Sequence, residues 1–165
     1  MKKLLILICF CIFAYGNEYT FKEVVLDELE LQGISSEITF KSKTNRDLKM
    51  AQQWANLMKL NDYKTSNISD NRIYAIYTNQ KKDSFNYFVG FKSKIENKEL
   101  KKIKVNSSTY QNTVIDFNEN SNMSDIWDNI SSQKLKRDFK TDIEIYNVKD
   151  LSKKSYKIDI YLSSK

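Results

Sequence analysis

The sequence constrains its own fold most strongly through a weak internal repeat. Met50-x-x-x-Trp54, on one amphipathic segment, is matched by Met123-x-x-x-Trp127 on another. Downstream of the first stand Ile76-Tyr77, a polar loop and the strand-like run Phe85 to Phe91. Downstream of the second stand Ile145-Tyr146, a polar loop and the run Tyr156 to Leu162. A repeat of this size predicts a duplicated unit with a pseudo-two-fold axis. Strand, helix, strand, strand, then the same again, makes that unit βαββ. The expected fold class is therefore α+β: one antiparallel sheet with two helices.

Periodicity sets the elements. Phe21 to Phe40 reads as a strand interrupted near Gln32-Gly33, where the glycine predicts a bulge or bend. Thr44 or Asn45 is placed to cap a helix running to about Leu60, with Leu48, Ala51, Trp54, Ala55, Leu57 and Met58 on one face. Tyr63 to Asn71 is a polar loop. Arg72 to Thr78 alternates, with Ile73, Ala75 and Tyr77 on one face and Tyr74 and Ile76 on the other. It forms a hairpin with the aromatic strand Phe85 to Lys92. Leu100 to Val105 and Tyr110 to Phe117 are strand-like. Ser121 or Ser124 is placed to cap a second helix over Met123 to Phe139.

The stretch Asp142-Ile143-Glu144-Ile145-Tyr146 is a strand with an acid at its centre. Ile143 and Ile145 point to one face, Glu144 and Tyr146 to the other. If that second face is covered, Glu144 is a buried carboxylate beside an aromatic ring. Such a group is costly without a partner or a task. If it is not covered, the stretch is an edge strand with Glu144 in water. Superposing the two repeats sets Glu144 on Ala75, so the duplication is broken at the acid. A charge in only one copy of a symmetric position near the axis points to a site.

Lys2 and Lys3, the apolar run Leu4 to Phe13 and the small-x-small Ala14-Tyr15-Gly16 are the parts of a secretory signal peptide, residues 1–16. Cleavage is expected after Gly16, leaving residues 17–165 as one domain, secreted across the inner membrane into the periplasm. The only two cysteines, Cys9 and Cys11, lie in the signal. The sequence has no histidine. Ser-His-Asp and Cys-His nucleophile systems are thereby excluded, as are thiolate and imidazole metal sites. No metal, cofactor or catalytic residue is assigned. Loss of Lys2 and Lys3 takes the formal charge from +6 to +4, and the lysines are scattered, so nucleic acid is not an expected partner.

Several segments, taken in order, resemble the GyrI-like small-molecule-binding domain, also known as the AraC-type or bacterial transcription-activator effector-binding domain. They are Val24-x-Leu26-x-Glu28-x-x-Leu31-x-Gly33, Ile73-Tyr74-Ala75-Ile76-Tyr77 with Tyr87-Phe88-Val89-Gly90, and Ser108-Thr109-Tyr110 with Val114. Trp127 on the second helix and Ile143-Glu144-Ile145-Tyr146 with Ile158-Asp159-Ile160-Tyr161 complete the set. The resemblance implies a cleft between the two halves that binds hydrophobic, often cationic compounds, with a glutamate at the position of Glu144. The family's prolines in the opening and closing strands are absent here, as is the glycine after Phe117. No helix-turn-helix segment precedes the domain, so neither a transcription-factor role nor a gyrase target is expected.

The leading functional expectation is an exported small-molecule-binding module whose cleft carries Glu144 and is lined by Trp127, Tyr146, Tyr110, Phe88 and Trp54. The carboxylate would supply counter-charge and the rings cation–π attraction. Trp54 also fits the core-facing side of its helix. A second reading is a hydrolase with Glu144 as general base and Tyr110 or Tyr146 as proton donor. A third is an envelope protein-interaction module using aromatic strands.

Overall fold

The computed structural model describes residues 19–60 and 68–164. The expected signal peptide, its cleavage after Gly16 and most of the loop beginning at Tyr63 lie outside the described residues. Alternating runs become strands and 3.6-residue periodicity becomes helix. The order is β1 (Lys22–Leu26), β2 (Leu29–Thr39), α1 (Lys43–Lys59), β3 (Arg72–Thr78), β4 (Ser84–Phe91), β5 (Lys101–Val105), β6 (Ser108–Asn118), α2 (Met123–Ser132), β7 (Thr141–Asn147) and β8 (Ser155–Ser163). All pairings are antiparallel, in one sheet ordered β1-β6-β8-β7-β3-β4-β2-β5. This is the α+β architecture of two βαββ units, β2-α1-β3-β4 and β6-α2-β7-β8, joined at the central β3–β7 pair.

The two leading strands are exchanged. β1 runs into β2 along the chain but pairs with β6, and β5 runs into β6 but pairs with β2. Each half therefore carries the other half's leading strand on its outer edge.

Both sheet faces are apolar. One holds Ile73, Ala75, Tyr77, Tyr87, Tyr146, Ile158 and Ile160, with Ile126 and Ile130 of α2 and Leu57 of α1 packed on it. The other holds Tyr74, Ile76, Phe88, Tyr110, Ile143 and Ile145. Leu31 of β2 and Val105 of β5, from one end of the sheet, join Val24 and Leu26 of β1, from the other, in that second cluster. The sheet thus curls until side chains of its two edges share a core. Each fully buried aliphatic or aromatic side chain contributes roughly 1.5–3 kcal/mol.

Three local expectations are corrected. The break in the first extended run falls at Asp27-Glu28, and β2 runs unbroken through Gly33. Gly33 stands opposite Gly90, and a Cβ on it would lie 2.2 Å from the Val89 carbonyl and 2.8 Å from the Phe88 ring. Close approach, not a bend, requires that glycine. Next, α1 is capped by Ser42, whose Oγ accepts from the Asn45 amide at 3.2 Å. Leu48 and Met58 are exposed, and the stripe that faces the sheet is Met50, Gln53, Trp54 and Leu57. Burying Trp54 and Leu57 removes more apolar area from water than burying two alanines. Finally, α2 is capped by Asn122 and stops at Ser132. Its inward stripe, Ile126 and Ile130, has no apolar successor at the next turn, and Arg137 instead pairs in an isolated bridge with Ser164.

Candidate functional site

Glu144 projects from the middle of β7 toward the helices and is 2% exposed. Three donors converge on its carboxylate. Tyr77 Oη donates to Oε1 at 2.7 Å, Trp127 Nε1 donates to Oε1 at 2.6 Å, and Tyr146 Oη donates to Oε2 at 2.6 Å. These donors come from β3, α2 and β7. The duplication makes Tyr77 equivalent to Tyr146, so two symmetry-related tyrosines grip one acid.

The tryptophans follow the same symmetry. Trp54 meets the Tyr146 ring edge-on at 4.9 Å between centroids, and Trp127 meets Tyr77 at 5.3 Å. Each pair joins a helix of one half to a strand of the other. Trp54 Nε1 donates to Tyr87 Oη at 2.8 Å. Only Trp127 reaches the carboxylate.

Burial pushes the Glu144 carboxyl above its ordinary range, and hydrogen bonds from Tyr146, Trp127 and Tyr77 pull the other way. Burial is also the main cause that holds the Tyr77, Tyr87 and Tyr146 hydroxyls far above theirs, with the Glu144 charge adding to it. They remain neutral donors. Among the described residues Glu144 has no basic partner. The nearby Arg137 is committed to Asp142 through a buried ion pair from Nη2 to Oδ2. Asp142 also accepts from Gln80 Nε2 at 2.5 Å and from the Ser163 amide at 3.0 Å. The Arg137 guanidinium is covered by the Phe139 ring at 4.4 Å. Phe139 itself sits at φ 58°, an unfavourable region for a bulky side chain.

The cavity over Glu144 measures about 520 Å³. Its walls include Phe40, Met50, Phe85 and Met123, and Arg137 and Asp142 lie at one side. Polar contacts join the helix N-termini beside it. Lys43 Nζ meets Asp125 at 2.8 Å and Asp128 at 2.7 Å, and Ser124 Oγ donates to Asp47 at 2.6 Å.

Of the residues expected from sequence, Glu144, Trp127, Tyr146 and Trp54 line this cavity. Trp54 both packs on the core and lines the site. Tyr110 and Phe88 lie on the opposite face of the sheet, in the second cluster. The strand period sends them there, and it removes Tyr110 as a proton donor for Glu144. Tyr77, Tyr87, Asp142 and Arg137 also line the Glu144 cavity and were not among the expected site residues. Tyr77 was within reach, because it shares the Ala75 face and is the repeat mate of Tyr146.

The model of the family Cass2, integron-associated effector binding protein, matches residues 24–163. The chain belongs to this family. No curated protein sequence matches the chain. Among solved structures, it is similar to an integron cassette protein from the mobile metagenome of Vibrio cholerae, at 18% identity and TM-score 0.67, covering 88% of this chain and 95% of that one. It is similar to a putative bacterial transcription regulation protein from Staphylococcus aureus MU50, at 14% identity and TM-score 0.65, covering 87% and 97%. A third similar structure is of SAV2435 bound to tetraphenylphosphonium, at 14% identity and TM-score 0.63, covering 88% and 94%. Cass2 membership and these folds agree with the GyrI-like resemblance drawn from the sequence, and small-molecule effector binding is the function class of the Cass2 family.

Proposed function

We propose that the cavity over Glu144 binds a hydrophobic cation, with Glu144 as counter-charge and Trp127, Tyr146, Tyr77 and Trp54 as ring faces and edges around it. The observation that carries this reading is a buried carboxylate with three neutral donors and no basic partner among the described residues. Its charge is solvated by the protein but not cancelled. Three of its lone-pair positions are already used, which favours a cation attracted by charge and by π faces over one that needs several hydrogen bonds. A desolvated cation–π contact is worth up to about 2 kcal/mol. The tetraphenylphosphonium bound by SAV2435, a protein of similar fold, is a ligand of this class.

The test is equilibrium binding of tetraphenylphosphonium and a quaternary ammonium dye to the protein and to Glu144→Gln. Loss of affinity for both in the variant is expected; unchanged affinity would overturn the counter-charge role. The signal-peptide pattern of residues 1–16 supports export to the periplasm. The intact mass of protein from a cell fractionation should then correspond to a chain beginning at Asn17, and a chain retaining Met1 in the membrane fraction would refute export.

A further inference from the structure

A second cavity, of about 420 Å³, lies on the other face of the sheet, where the sheet curls toward its own edge. Of the residues lining it, only Tyr87 also lines the Glu144 cavity. Its floor is apolar: Ile76, Phe88, Val105 and Tyr110 line it and all are buried. Its charged lining is the reverse of an acidic site. Lys101, Lys104 and Lys140 stand there against one acid, Asp138.

These charges differ in how far they are committed. Lys140 holds Asp138 at 3.0 Å, and Lys104 meets the exposed Glu28 at 2.9 Å. The exposed Lys104–Glu28 pair is weak and easily redirected, whereas in the other pair Asp138 is half-buried. Lys101 has no ion-pair partner among the described residues. It shares the parity of Ile103 and Val105 on β5, so the strand presents it to the cavity side.

We infer that this cavity is a second ligand site, for an amphipathic monoanion: a carboxylate or sulfonate on a one- or two-ring apolar body. The ring system lies on Ile76, Phe88 and Val105. The head faces Lys101, with Lys104 and Lys140 in the same lining. A cation is disfavoured there, because the only acid in the lining is already paired. The site shares no charged residue with the Glu144 cavity and does not depend on the reading given to that cavity.

Dansylglycine, an anionic fluorophore that brightens on leaving water, is the probe, with the uncharged dansylglycinamide as control. Dansylglycine is expected to bind at least about tenfold more tightly than the amide. Lys101→Glu, on an exposed position, should weaken dansylglycine about tenfold and leave the amide unchanged. A saturating quaternary ammonium dye should not displace dansylglycine. Equal affinity for the two dansyl probes, indifference to Lys101→Glu, or displacement by the dye would each overturn the second site. None of these results bears on Glu144→Gln, so the two sites stand or fall separately.

Discussion

Ala75 and Glu144 face each other across the central β3–β7 pair. They are also the two positions that the duplication makes equivalent. Ile73 pairs with Tyr146 and Tyr77 with Asp142 on either side of them, so the pseudo-two-fold axis passes between the alanine methyl and the glutamate. One axial position supplies the charge. The other supplies the space in front of it.

Affinity for a permanently cationic dye should weaken as pH falls through the raised Glu144 pKa of the empty site, because protonation removes the counter-charge. The dye does not titrate, and the protein has no histidine to confuse the range. Trp127→Phe keeps an aromatic face but removes one donor to the charged carboxylate, so the midpoint should move to higher pH. Fluorescence titrations from mildly acidic to neutral pH decide both. A flat profile for the unmodified protein would contradict the first expectation, and a midpoint moving to lower pH in Trp127→Phe the second.

The empty protein should show the same group in its stability. A carboxyl whose pKa is raised on folding contributes most below its unfolded value, about 4.3, and that contribution is lost as pH rises through the folded value. Glu144→Gln does not titrate. Thermal melts across this window should therefore find the variant gaining on the unmodified protein as pH rises. A constant difference would mean that burial does not govern Glu144.

Arg137→Met should destabilise the protein by about 3–5 kcal/mol, because it leaves Asp142 buried and uncompensated. Arg137→Met combined with Asp142→Leu should cost less than the two single changes added together. Urea unfolding of the four proteins measures the coupling, and simple additivity would mean the pair acts as two independent groups.

Gly33→Ala and Gly90→Ala should each cost about 1–3 kcal/mol through overpacking, since either methyl would press on a facing carbonyl and on Phe88. Near-zero cost in denaturant melts would show that the β2–β4 ladder moves apart there without penalty.

Much of this arrangement was legible in the sequence. Period-two alternation placed Ile143 and Ile145 opposite Glu144 and Tyr146, and the Met-x-x-x-Trp motif followed by Ile-Tyr in both halves revealed the duplication. Three things were not legible. Period-two reading assigns a face but does not tell which face of the sheet the helices cover, and that left Tyr110 and Phe88 grouped with Glu144. Two helical stripes of α1 carry apolar residues, and only the competition for buried area selects the one with Trp54. The place of Arg137 in the cavity wall depends on α2 ending at Ser132, where its inward apolar stripe runs out.

The exchange of β1 and β5 between the halves works as a lock. To pull the halves apart along the β3–β7 seam, both exchanged strands would have to be unzipped from their hosts first. The halves are woven together, not hinged. A guest molecule in the Glu144 cavity would therefore have to enter from the helix side, past contacts such as Lys43–Asp125 and Ser124–Asp47, while the woven sheet beneath stays a fixed anvil.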